Sequence, residues 1–143
     1  MRRIFVDTSA WDAIADGGDP NHEHALRFKD EIVGQCRLIT TNYVLDELYT
    51  LLLMNLGYQR AVDFKSKLDI LVRGGILEVI WVTEEIATDA WTVFTRFNVD
   101  KWWSFTDCVS YAVMKREGIR EAFAFDHHFE QMGYVRQPQG MSP

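Results

Sequence analysis

Residues 3–7 read Arg-Ile-Phe-Val-Asp, a short apolar run without alternation that ends on an acid. A strand of this kind suits the centre of a parallel sheet, where both faces are covered and nothing selects for polar residues at every second position. Residues 122–126, Ala-Phe-Ala-Phe-Asp, repeat the pattern near the other end of the chain. Two further apolar runs, 38–40 and 77–82, lie between them, and 134–135 predict a possible edge strand. The segments between the runs carry helical signals. Thr8 and Ser9 provide capping hydroxyls ahead of a short helix through Trp11 and Ile14. Asp19-Pro20 opens a second helix, with Ala25, Phe28 and Ile32 at helical spacing up to Gly34. Thr41 caps a long third helix that ends at Gly57, and a fourth spans 58–73. Thr83 caps an acid-headed helix through Ile86, Ala90, Val93 and Phe97, and a last long helix covers 105–117 before Gly118. Strands alternating with helices predict the α/β class, a three-layer α/β/α sandwich around a central, mostly parallel sheet. The reading is one domain over residues 1–136 with a polar, frayed tail over 137–143.

Composition sets the bounds. The chain has 143 residues, of which 48% are hydrophobic, enough to bury a core without staples. No stretch of about 18 apolar residues is present, and the amino-terminal residues pass straight into a strand, so a soluble, cytoplasmic protein with no membrane partner is expected. Cys36 and Cys108 form neither a zinc spacing nor a disulfide framework and are read as reduced, half-buried thiols. The net charge is −6, the wrong sign for a protein that meets phosphate backbones with a basic surface. Four acids set aside as cation ligands change the count to −6 + 4 = −2, and bound divalent ions reverse the sign of the site itself.

Those four are Asp7, Glu47, Asp107 and Asp126. Ligands of open parallel sheets bind beyond the carboxyl ends of the strands, and Asp7 and Asp126 are each the first acid after an apolar run. On the third helix, with Val44 as reference at about 100° per residue, the stripe of Val44, Leu48, Leu51 and Leu52 centres near about +40°. Glu47 then falls at about −60°, on the border of that stripe, whereas Asp46 at about 200° faces water. Asp107 lies off the stripe of Cys108, Val109, Ala112 and Val113, so its case rests on the helix amino terminus, whose positive dipole end keeps a carboxylate ionised. Carboxylates gathered at one pole of a sheet repel each other unless cations neutralise them, which points to hard divalent metal.

The motifs FVDTSAW, TTNYVLDEL, WWSFTDCVSYAVM and AFAFDHHFEQMGY, in this order and covering nearly the whole chain, resemble the PIN-domain ribonucleases, and most of all the VapC-type toxins of toxin–antitoxin pairs. The resemblance places the family's acids on Asp7, Glu47, Asp107 and Asp126, with Thr8 and Thr106 as neighbouring polar residues. It implies one or two Mg²⁺ or Mn²⁺ ions, hydrolysis of RNA phosphodiester bonds, a cognate antitoxin protein and a homodimer. The corresponding mechanism has Asp7 and Asp107 as main ligands, Asp126 and Glu47 completing the shell, and products with 5′-phosphate and 3′-hydroxyl ends.

Other readings are weighed on particular residues. A catalytic-aspartate phosphotransferase of the haloacid dehalogenase kind needs a second acid two residues after the first, and Ser9 stands there. A response-regulator receiver needs paired acids at the first strand end. The alternative from a different class is a non-catalytic RNA-binding or protein-interaction module on the same fold, against which the complete acid set speaks. Thr106 is read as a helix cap, Trp102 and Trp103 as packing residues, and His127 and His128 as solvent-facing loop histidines. Tyr43, Tyr49 and Met54 mark a groove on the second and third helices for a partner's short helix or extended tail, and the resemblance implies that the partner is the antitoxin.

Overall fold

The computed structural model describes residues 1–140. Five strands, β1 (Arg2–Val6), β2 (Cys36–Thr41), β3 (Leu77–Ile80), β4 (Glu121–Phe123) and β5 (Val135–Gln137), form one sheet in the order β3-β2-β1-β4-β5. Every pairing is parallel. Seven helices connect them: α1 (Thr8–Ala15), α2 (His22–Ile32), α3 (Asn42–Leu56), α4 (Tyr58–Arg73), α5 (Glu84–Phe97), α6 (Phe105–Glu117) and α7 (His128–Gln131).

β1 sits in the middle, and Ile4, Phe5 and Val6 are almost wholly buried, as its unalternating composition requires. The chain runs outward from β1 to β2 and β3, then crosses back to β4 and β5. Right-handed crossovers therefore put α1–α4 on one face and α5–α7 on the other. Register and ring contacts agree. Val6 is paired with Phe123, so both point to one face, where Phe123 meets Phe28 of α2 edge-on at 4.8 Å. Phe5 points the opposite way, to Phe129 of α7 at 6.3 Å. Connections leave β1 and β4 in opposite directions, which opens a crevice between the carboxyl ends of these two neighbours.

Three local details differ from the sequence reading. Helix α2 begins at His22; Asp19 instead accepts the Asn21 N–H at 2.7 Å in a turn, so the Asp-Pro pair precedes the helix by a turn. The apolar run at 77–82 is an edge strand ending at Ile80, and Trp81 is exposed. Strand β5 continues to Gln137, whose side-chain amide donates to Glu121 at 2.9 Å, so ordered pairing reaches one residue into the expected tail; residues 141–143 lie outside the described residues. Cys36 and Cys108 are free thiols, fully buried rather than half-buried. No helix among the described residues is long and apolar enough to cross a membrane.

Candidate metal centre

Asp7 leaves β1 with its backbone N–H still bonded to the Phe123 carbonyl at 3.0 Å, and its extended backbone makes it the N-cap of α1. The capping oxygen is the carboxylate itself, which accepts from the Ser9 N–H at 3.2 Å and from the Ser9 hydroxyl at 2.7 Å. Thr8 is therefore the first helical residue and not a cap, and its buried hydroxyl has no hydrogen-bond partner. Ser9 does a second thing: its oxygen accepts the Phe125 N–H at 3.0 Å and so ties the segment after β4 to the end of β1. One residue later comes Asp126, whose Oδ1 accepts the His128 N–H at 3.1 Å and starts α7.

Asp107 enters from the other face. Ser104 caps α6, accepting the Asp107 N–H at 3.0 Å while Asp107 Oδ2 accepts the Ser104 N–H at 3.0 Å, a complete capping box. Ser104, not Thr106, is the cap, and Thr106 contributes its carbonyl to the Ser110 hydroxyl. Asp107, Ser110 and Met114 are all buried, a second line of burial beside the apolar stripe, because α6 packs against both α5 and α3. The acid that a single-stripe reading put off the core thus faces inward.

His128 departs from the solvent-facing loop position that its sequence context predicts. It is partly buried on α7, with Nδ1 2.6 Å from Asp107 Oδ2 and 4.0 Å from Asp126 Oδ1. Its neighbour His127 does face water, with Nδ1 3.2 Å from Glu130. The two-residue step from Asp126 to His128 across a turn is the sequence signal that was available for this pair.

The carboxylates feel one another. Burial pushes the Asp7 carboxyl well above the ordinary range, Asp126 and Asp107 push it further, and the Ser9 hydroxyl opposes them. Asp126 is raised by burial first and by Asp107 next, against the pull of His128. Glu47 is exposed on α3, yet partial burial of its carboxyl raises its pKa; the neighbouring Thr8 hydroxyl opposes the rise, and Asp107 and Asp126 add to it. Glu47 stands at the rim, whereas Asp7, Asp107, Asp126 and His128 form the floor. Among the described residues no lysine or arginine forms an ion pair with these acids: Arg2, Arg3, Lys65, Lys101 and Arg116 are engaged with other carboxylates.

A donor set of this kind fits a divalent cation. One ligand atom each from Asp107, Asp126 and His128 lies within 4.8 Å of the others, Asp7 is buried without a counter-charge, and the Thr8 hydroxyl has no partner. The model of the PIN domain matches residues 4–134. This chain belongs to the PIN-domain family. The 23S rRNA-specific endonuclease VapC20 of Mycobacterium tuberculosis is 38% identical over 136 residues, covering 92% of this chain and 95% of the relative. The crystal structure of that organism's VapC20, described as a Sarcin-Ricin loop cleaving toxin, superposes with a TM-score of 0.80 at 34% identity over 92% of this chain and 96% of that one. FitAcB from Neisseria gonorrhoeae has a TM-score of 0.68 at 18% identity, covering 96% and 99% of the two chains, a likeness of fold alone. In a PIN domain an acidic cluster of this composition supports binding of divalent metal.

The aromatic residues near the site divide. Trp103 is buried and donates its indole N–H to Gln131 at 2.8 Å, while Trp102 is almost fully exposed. Tyr43 and Tyr49 line a cleft between α3, α4 and β3, whereas α2 borders a separate cavity of about 580 Å³ with α1 and α4. The single groove expected on α2 and α3 is two.

Proposed function

We propose that this PIN domain is a metal-dependent endoribonuclease, the toxin of a toxin–antitoxin pair, that hydrolyses phosphodiester bonds in a structured ribosomal RNA. The observation that carries the reading is the convergence of Asp7, Asp107 and Asp126, without a basic partner, at the crevice between β1 and β4. A relative 38% identical and named for 23S rRNA supports the substrate class.

Catalytic roles follow from how each side chain is held. Asp7 is fixed by two bonds from Ser9, and Asp107 by Ser104 and His128, so each offers its remaining oxygen lone pairs to the mouth with little freedom to lose. Asp126 and Glu47 complete the shell, the latter from the rim and through water. Thr8 lies beside Glu47, and Thr106 only supports the first turn of α6. Mg²⁺ or Mn²⁺, as one or two ions, would supply an activated water and neutralise charge on the phosphorane. The field of the apo site repels phosphate, so RNA enters after the acids have been neutralised.

Solved complexes of the same fold, VapBC2 from Rickettsia felis bound to a promoter DNA fragment and VapBC from Salmonella typhimurium bound to DNA, support a cognate antitoxin partner for this chain. A homodimer and a cytoplasmic location belong to the same proposal.

The test is incubation of the purified protein with labelled ribosomal RNA, with and without EDTA, beside Asp7→Asn. One or a few discrete cuts bearing 5′-phosphate ends, lost in EDTA and reduced at least ~100-fold in the variant, are expected. Cleavage that survives EDTA, or cyclic-phosphate ends, overturns the metal mechanism. RNA binding without cleavage favours a non-catalytic module.

A further inference from the structure

His128 is the nitrogen donor in a cluster otherwise made of carboxylates. Its Nδ1 lies 2.6 Å from Asp107 Oδ2 and 4.0 Å from Asp126 Oδ1. The placement is built by the backbone: Asp126 Oδ1 accepts the His128 N–H, so the two-residue step turns both side chains toward the same mouth. Phe129, completely buried against Phe5, anchors the next position. The adjacent His127 has its ring on Glu130 at the surface, so only one of the two histidines faces the acids. The Thr8 hydroxyl is buried beside Glu47 and makes no well-aligned hydrogen bond.

Resting on the reading that this cluster holds a divalent cation, we infer that His128 is itself a ligand through Nδ1, and that the site therefore selects Mn²⁺ or a similar imidazole-binding ion over Mg²⁺. A neutral imidazole with its proton on Nε2 presents the Nδ1 lone pair to the space that Asp107 and Asp126 border. Mg²⁺ is served by carboxylate and water and gains little from imidazole, whereas later first-row ions gain affinity from it. The present 2.6 Å contact between Nδ1 and Asp107 is a hydrogen bond. Its change to two neighbouring ligands of one ion requires the Nδ1 proton to leave to solvent, with the ring's remaining proton on Nε2, and a separation of about 3 Å in octahedral geometry, a few tenths of an ångström more than now.

The experiment is pulsed electron paramagnetic resonance on the full chain loaded with one equivalent of Mn²⁺, with Mn²⁺ and Mg²⁺ affinities measured by calorimetry. Wild type is expected to show a ¹⁴N coupling of directly bound imidazole, shifted as ¹⁵N in protein labelled on histidine. His128→Gln should lose that coupling and weaken Mn²⁺ binding by on the order of tenfold or more while changing Mg²⁺ binding by less than about threefold. Bound Mn²⁺ without nitrogen coupling in wild type overturns the inference and leaves His128 as a positioning residue for Asp107. Coupling that persists in His128→Gln overturns it in favour of another nitrogen. If wild type binds no divalent ion at all, the metal-dependent reading fails as well, so the two failures are distinguishable. Because the nitrogen coupling is read on wild type, the outcome does not depend on whether the variant folds.

Discussion

The Ser9 hydroxyl lies 2.7 Å from Asp7 Oδ2, and the same oxygen accepts the Phe125 N–H at 3.0 Å. One small side chain thus orients a buried carboxylate and joins the ends of β1 and β4. Ser9→Ala leaves both groups without that partner, and an unsatisfied buried group costs about 1–3 kcal/mol. Urea unfolding should show a loss in that range, with cleavage reduced by more than the fraction of unfolded protein explains. Unchanged stability would mean that the strand ends do not need this bridge.

Three acids with raised pKa values give the metal-free protein a definite pH dependence. Asp7, Asp126 and Glu47 each hold a proton more tightly folded than unfolded. Their contribution to stability is therefore fully present below the unfolded carboxyl pKa of about 4 and is lost as pH rises through the higher folded values. In EDTA the melting temperature should fall across that window, and saturating Mn²⁺ should restore it most at the higher pH, where the acids are ionised. A melting temperature that rises with pH in EDTA would contradict the coupled arrangement.

Asp7→Asn separates site from scaffold. Asparagine caps a helix as well as aspartate does, and it removes the buried charge. The variant should melt in EDTA at or above the wild-type temperature while its metal affinity falls by at least ~10-fold. A large loss of stability would show that Asp7 is held there for the fold.

Glu47 and Asp46 are adjacent on α3 but differ in what they feel. Glu47 senses Asp107 and Asp126, while Asp46 borders the cleft with Tyr43 and Tyr49. Glu47→Gln should weaken metal-dependent cleavage by roughly 10-fold, recovered by raising the metal concentration, and Asp46→Asn should change it by less than about twofold. A titration of cleavage against Mn²⁺ distinguishes them, and equal effects would place Glu47 outside the shell.

Much of this was legible in order of residues because the deciding signals are local. Continuous apolar runs gave β1, β2 and β4, and Thr41 and Thr83 cap α3 and α5, accepting the N–H of Val44 and of Ile86, each at 3.2 Å. What escaped depends on neighbours that no window contains. Asp107 looks peripheral on a one-stripe helix, but α6 is buried on two sides and its capping box turns the side chain inward. His128 reads as a surface residue until the Asp126 turn brings it back over Asp107. Asp19-Pro20 has the composition of a helix start, yet an Asx turn at Asn21 claims the aspartate first.

The order β3-β2-β1-β4-β5 has a kinetic meaning. Asp7 emerges in translation well before Asp126, and the pocket they share is assembled only when β4 docks beside β1. A nascent polypeptide still lacking β4 is half a pocket, so the metal-binding floor cannot form during synthesis before that strand has docked.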